Sequence, residues 1–575
     1  MEKNTILAII LSVAVVAGSF IIQGVFFPKT APPPLPPKTT QVTPAAPAEA
    51  TQLVPHGDVP ALQAIAAVPQ TVVVETNLMR VTLSNKGAVA TSIELKKHLD
   101  NGKPVEMVAK QWGTGDAFET DFGGFGKPPI NTLFQVEQLG PHKYRFSQNF
   151  LDEKGVPFTL EKTFTFHNND YMIEVDVTTK SLNGTIPDLS KGRFAYTLTY
   201  GPQIGPSFTK LDGSVEYRKF YRLEGNNRKD EAFNNETKSF DEDLKWAAIV
   251  GKYFTVIGVP DGTTYQTTFS DKNGEGDKQV ARLAFSRPAL QSSTTKDIFH
   301  FYVGPKEDSI LKKYDKADTN AFKMTDLKLE RVQEDNFLLG WLEVILKWVL
   351  QGIVFLIPNW GVAIIILTIL IKLVLWPLTQ KSYRASAAMQ ALQPKLKEVQ
   401  AKYKDDPKKL NEQTMALYQK EGVNPMGGCL PMLLQIPVFF ALYGMFQNQF
   451  DLRGAMFIPG WIPDLSVPDV IFSWGFPIPF LNWTSLHLLP FIMVGTQIWS
   501  SSLSQPAGGQ TSQMKIMTYG IPIIFFFMLY AMPSGLMVYW CVQNILTVFQ
   551  QSYVNKHFKK PNAALKIVPS KKGRR

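Results

Sequence analysis

Lys372 is the one charged residue in the stretch Ile364–Trp376, which is otherwise apolar except for Thr368. A lysine near the centre of a membrane-length helix costs roughly 2.5–3.5 kcal/mol to insert, and such residues face a cavity or a partner. Thr368 lies one helical turn away on the same face. Other apolar runs carry Gln435, the pair Thr496 and Gln497, and a set formed by Trp540, Gln543, Asn544 and Thr547, which reads as one face of the last run. Polar residues contributed by several runs predict a shared pocket. The competing reading is snorkelling, because Lys381 is only about 14 Å further along the helix. None of these runs contains Asp or Glu. Proton- or cation-coupled transport therefore lacks its usual carboxylate, whereas one buried cation suits attraction of acidic or polar segments of another chain.

Bond-breaking chemistry finds no support elsewhere. The Gly-Lys pairs 102–103, 126–127 and 251–252 are followed by Pro, Pro and Tyr. A phosphate loop needs Ser or Thr there to reach magnesium. HExxH, CxxC and GxSxG are absent, and the 7 histidines are scattered without metal spacing, so neither cofactor nor metal is expected. His487, at the head of an apolar run, reads as an interfacial residue. The two cysteines, Cys429 and Cys541, lie outside 29–336, which removes a disulfide framework from the polar half of the chain. A glycan-binding reading of that half finds no acidic pair that stands out.

These residues need elements to position them, and the composition points to two kinds. Of 575 residues, 45% are hydrophobic and 19% charged, with a mean hydropathy of −0.05. A strongly apolar part must therefore offset a polar one. Apolar runs at 5–27, 358–378, 426–449, 486–502, 516–532 and 536–553 predict transmembrane segments; 486–502 and 516–532, of about 17 residues each, are at the short end for crossing and suit a thinned bilayer. Residues 337–357 are apolar but carry Glu343 and Lys347 on one face, which suits an interfacial helix. The loop 379–425 carries 9 basic and 5 acidic residues, and the segment 551–575 carries 8 basic and no acidic ones. Charge bias places both in the cytoplasm and 29–336 outside.

Prolines crowd 28–60, including Ala31–Pro37, and predict an extended tether. From about 70 to 305 the hydrophobic period becomes two. Phe158–Phe166 and Tyr171–Val177 read as a hairpin, with further strands at 71–75, 78–84, 193–200, 245–259, 280–286 and 298–303, together a large β-sandwich. Helical turns are expected at about 306–333. Residues 381–422 read as a helical hairpin: Leu392, Leu396, Val399 and Tyr403 recur at helical spacing, Pro394 breaks the first helix, Asp406-Pro407 opens the second, and Gly422 ends it.

Three stretches carry a specific resemblance: Trp360–Thr379 (WGVAIIILTILIKLVLWPLT), Val423–Tyr443 (VNPMGGCLPMLLQIPVFFALY) and Pro533–Gln551 (PSGLMVYWCVQNILTVFQQ). The chain resembles the YidC membrane protein insertases of Gram-negative bacteria, relatives of the Oxa and Alb insertases of organelles. The resemblance implies a multi-span α-helical membrane protein with six transmembrane helices, five of them forming an insertase core, and an inserted periplasmic all-β supersandwich. The implied division is an anchor at 1–27, a tether at 28–69, a periplasmic domain at 70–336, an interfacial helix at 337–357, a core at 358–553 containing the cytoplasmic hairpin 381–422, and a basic tail at 554–575. It also implies a hydrophilic groove open to cytoplasm and lipid. The family's groove cation, usually Arg, falls on Lys372, Thr368 falls on a groove position, and Trp540 on a position often held by Tyr. Gln435, Gln497, Gln543 and Asn544 complete the expected client-contacting set.

The function expected is insertion and chaperoning of membrane proteins without enzymatic catalysis. Expected partners are nascent membrane proteins, the ribosome, the Sec translocon with its accessory subunits, and membrane lipid, with no sequence-specific nucleic acid. Lys571, Lys572, Arg574 and Arg575 form a compact positive cluster suited to ribosomal or lipid phosphates. The expected location is the bacterial inner membrane, multi-pass, with a cytoplasmic C-terminus. The alternatives are a secondary transporter and a membrane-tethered periplasmic binding or chaperone module.

Overall fold

The computed structural model describes residues 68–557 except 101, 111–113, 190–192, 209–210, 212–215, 273–279, 334–338, 405, 424–429, 475, 477, 479–480, 482 and 505–515. The expected anchor at 5–27, the tether up to residue 67, and the tail cluster Lys571, Lys572, Arg574 and Arg575 lie outside the described residues. The chain divides into two compact units.

The first unit is a β-sandwich of two nine-stranded antiparallel sheets. One sheet runs in the order Thr71–Glu75, Met79–Ser84, Val89–Asp100, Ala117–Phe122, Phe194–Tyr200, Arg282–Pro288, Gln266–Ser270 and Thr237–Phe240, with Lys103–Glu106 paired onto the third. The other runs Asn227–Glu231, Lys219–Glu224, Trp246–Val250, Phe254–Pro260, Thr294–Pro305, Met172–Ser181, Pro157–Thr165, Lys143–Leu151 and Gln135–Gly140. The expected hairpin is present, with Phe164 opposite Val175 and Leu160 opposite Thr179. Alternation sends Phe158, Leu160, Lys162 and Phe164 inward along one strand.

An aromatic layer joins the sheets. Phe118 of the first lies 5.9 Å from Phe164 and 4.9 Å from Phe301 of the second. Such pairs add about 0.5–1.5 kcal/mol each beyond the area they bury. Gly258 is required beside this layer, because a Cβ there would sit 2.5 Å from the Phe285 ring. One cation is enclosed with the aromatics. The Lys162 ammonium donates to the Phe118 carbonyl at 2.5 Å, and burial lowers its pKa to about 7.

The second unit is helical: α1 (Gly340–Leu356), α2 (Trp360–Ala391), α3 (Gln393–Lys402), α4 (Pro407–Lys420), α5 (Leu430–Asn448), α6 (Leu489–Ser504), α7 (Ile521–Leu529) and α8 (Ser534–His557). Its core gathers Leu350 of α1, Ile364 and Leu367 of α2, Leu442 and Met445 of α5, Met493 of α6, Leu529 of α7, and Leu536 and Met537 of α8. Among the described residues one helical stretch, Trp360–Ser386, is long and apolar enough to cross a membrane by length and composition, with a mean hydropathy of 2.5 over its apolar window. Trp348 of α1, Val374 of α2 and Phe527 of α7 turn large apolar side chains outward.

One boundary differs from the sequence reading. Helix α2 continues past Pro377 to Ala391, so residue 381 lies inside a helix rather than at its start. The break comes at Leu392, where Pro394 opens α3 within its first turn. A proline is tolerated in the first turn, where its missing N–H has no intrahelical partner anyway. The Asp406 carboxylate caps α4 by accepting from the Lys409 amide at 3.1 Å, as the Asp-Pro pair predicts.

Candidate functional site

Lys372 lies on α2, after a stretch, Ile364–Ile371, that is apolar except for Thr368, so the helix carries the cation inward rather than to an end. The side chain is 7% exposed. Its Nζ donates to Thr547 Oγ1 of α8 at 2.8 Å, and Thr547 Oγ1 in turn donates to the Gln543 carbonyl at 2.8 Å. No carboxylate lies within 4.0 Å of the ammonium among the described residues. The ammonium has three donors, and this one hydrogen bond is the only one it makes among the described residues.

A cavity of about 20 Å³ opens beside Lys372, lined by Thr379 and Tyr383 of α2, Gln435 of α5, and Tyr539 and Gln543 of α8. That is room for a single water. Gln543 Oε1 is buried and has no hydrogen-bond partner among the described residues, and the same holds for Gln550 Oε1, whose amide nitrogen donates to Thr379 Oγ1 at 2.9 Å. The cavity therefore holds spare donors on Lys372 and a spare acceptor on Gln543.

The sequence-predicted residues divide into two groups. Lys372, Gln435 and Gln543 meet at the cavity. Trp540 and Asn544 face α6 instead: Trp540 Nε1 donates to Gln497 Oε1 at 3.2 Å, and Asn544 Nδ2 donates to Thr496 Oγ1 at 3.2 Å. The single face read for Trp540, Gln543, Asn544 and Thr547 is thus two stripes. At 3.6 residues per turn, neighbouring positions 543 and 544 point about 100° apart. Residues 539, 543, 547 and 550 follow one stripe, and 540 and 544 the other. The Trp540 ring is an edge-to-face partner of Phe439, with centroids 4.7 Å apart. Thr368 is fully buried, and its hydroxyl donates to the Ile364 carbonyl of its own helix at 2.7 Å, so it is not a cavity-lining group.

Thr379, Tyr383 and Tyr539 are cavity residues that sequence reasoning missed. Their signal was present. Thr379 and Tyr383 follow Lys372 at seven and eleven residues, the spacing of one helical face. Ending the span at residue 378 hid them.

Two family models match: one described as 60Kd inner membrane protein, over residues 352–561, and one described as YidC periplasmic domain, over residues 71–349. A membrane protein insertase YidC from Treponema denticola is 36% identical across 97% of this chain and 100% of its own length. The one from Treponema pallidum is 33% identical across 96% of this chain and 98% of its own. A crystal structure of an active YidC insertase with its first transmembrane domain resolved covers 84% of this chain and 93% of that one, at 18% identity and a TM-score of 0.34. Through these full-length relatives, the chain belongs to the family of YidC membrane protein insertases.

Proposed function

We propose that the Lys372 cavity is where this insertase receives the polar flank of a client segment. The carrying observation is the mismatch inside it: among the described residues, the ammonium makes one hydrogen bond and the buried Gln543 oxygen makes none. Such groups cost stability unless water or another chain completes them. A nascent hydrophobic segment lies along the apolar outer side of the helices while its flank exchanges with the cavity water. This lowers the desolvation cost of moving the flank. Burial of the client's own helix in lipid then supplies the driving force. No bond is made or broken.

In this reading six segments cross the inner membrane: the anchor, α2, α5, α6, the segment ending in α7, and α8, the last five forming the core. Helix α1 lies along the interface. The hairpin around α3 and α4 and the basic tail face the cytoplasm, with the β-sandwich outside, following the charge bias. The tail cluster Lys571, Lys572, Arg574 and Arg575 meets ribosomal or lipid phosphates, and the Sec translocon and its accessory subunits are further partners.

Photocrosslinking tests the cavity. A photoreactive residue at Gln435 or Tyr539 should capture a ribosome-bound nascent membrane segment. Capture at neither position, with the same probe productive elsewhere on the core, would refute the role assigned to the cavity. The transporter alternative predicts solute flux into vesicles, which this reading does not.

A further inference from the structure

A second cavity, of about 480 Å³, lies on the β-sandwich. Its volume falls in the range of small-molecule sites, about 300–1,000 Å³. Register explains what lines it. Glu119 pairs with Thr199, and Arg282 pairs with Ser270, which puts these side chains on one face of the first sheet. Alternation turns Phe118 and Phe122 to the other face, against the aromatic core. The loop after this strand adds Phe125 and Lys127 to the rim. Glu119 and Asp121 thus form an acidic pair that the sequence reading did not pick out.

Acidic and basic side chains face this space. Glu119, Asp121, Lys127, Lys272 and Arg282 make no ion pair within 4.0 Å with any described residue, and Glu119 Oε1 accepts from the Asp116 amide at 3.0 Å. Asp121 is 6% exposed, and its Oδ1 is buried with no hydrogen-bond partner among the described residues. Acidic and basic groups that share a cavity without touching leave room for a ligand that both donates and accepts. A simple anion would meet the acidic side chains Glu119 and Asp121, and a simple cation would meet Arg282, Lys127 and Lys272. An apolar ligand would leave all five desolvated and unmatched. A vicinal diol satisfies both sets, because each hydroxyl donates one hydrogen bond and accepts others.

We propose that this cavity binds a neutral polyhydroxylated ligand, a glycan unit. Its hydroxyls donate to Glu119 and Asp121 and accept from Arg282 and Lys127, with a C–H face of the ring against Phe125. The site is independent of the Lys372 cavity and of client insertion.

Saturation-transfer NMR on the full chain tests this. The chain is held in phosphatidylcholine nanodiscs, because a glycoside detergent would compete. The probes are maltose, lactose, cellobiose and diacetylchitobiose, with glycerophosphoethanolamine as the zwitterionic comparison. Transfer to at least one disaccharide is expected, falling at least fivefold in Arg282→Gln of unchanged melting temperature, and persisting in Lys180→Gln on the opposite sheet. If Arg282→Gln unfolds, Lys127→Gln at an exposed loop position takes its place with the same expectation. Transfer to none of the disaccharides, transfer undiminished by the cavity variant, or transfer to glycerophosphoethanolamine alone would each overturn the proposal.

Discussion

Thr547→Val perturbs the Lys372 cavity with almost no change in volume. Thr547 Oγ1 accepts the ammonium's hydrogen bond at 2.8 Å, and valine removes that acceptor. A hydrogen bond to a charged group contributes about 1.5–3 kcal/mol. The cavity of about 20 Å³ admits one water, which replaces part of the lost acceptor, so the lower figure applies. About 1.5 kcal/mol corresponds to roughly a tenfold change in the population of ammonium held toward α8. The released lysine turns toward other acceptors and no longer meets a client flank in the cavity. Insertion into proteoliposomes, read as protease protection, should fall by up to roughly tenfold for a client with an acidic flank. It should change little for the same client with a neutral flank. Thr547→Ser, which keeps the hydroxyl, should behave as the parent. The reasoning is refuted if valine matches the parent on the acidic client, or if serine falls as far as valine.

Two further expectations concern other parts of the chain. Burial, reinforced by Glu119, raises the Asp121 pKa to about 8, against about 3.9 in an unfolded chain. The fold therefore favours the protonated form. That contribution is fully present below the unfolded value and is lost as the pH rises through about 8. Asp121→Asn, neutral throughout, should lose less thermal stability than the parent between about pH 6 and pH 9, and parallel melting curves would contradict this. For topology, a cysteine introduced at the exposed Lys404 should react with an impermeant thiol reagent only after the membrane is opened, beyond the background of the parent chain. Labelling in intact cells would invert the proposed orientation.

The β-sandwich was legible wherever one face is apolar. The Pro157–Thr165 and Met172–Ser181 pair follows directly from alternation. The run read as one strand over 245–259 is two, Trp246–Val250 and Phe254–Pro260, because the chain turns at Lys252 and Tyr253, with the Gly251 amide donating to the Phe254 carbonyl at 2.9 Å. The strand Val89–Asp100 escaped notice because its outward positions carry Glu94, Lys96 and Lys97, which dilute the period-two signal. In the helical unit, the residue types that matter were visible but their partition was not. Gln543 and Asn544 are adjacent, equally polar and equally buried, yet one faces α2 and the other α6. That choice depends on the rotation of α8 about its axis, which packing against two neighbours determines. Glu119 and Asp121 were hidden for a related reason: only strand register puts Arg282, two strands away, on the same face of the sheet.

The central claim is that the positive charge of Lys372 draws in client flanks. A carboxylate about 4 Å from the ammonium gains up to about 4 kcal/mol at an effective dielectric of 20, and less in a hydrated cavity. The decisive measurement is insertion efficiency of two clients that differ only in flank charge, acidic or neutral, by Lys372→Arg, Lys372→Ala and Lys372→Glu proteins. Arginine should preserve insertion of both clients. Alanine should impair the acidic client more than the neutral one, and glutamate should be worst for the acidic client because attraction becomes repulsion. Equal losses for both clients with alanine and with glutamate would contradict the electrostatic mechanism and leave Lys372 as a group that only hydrates the cavity.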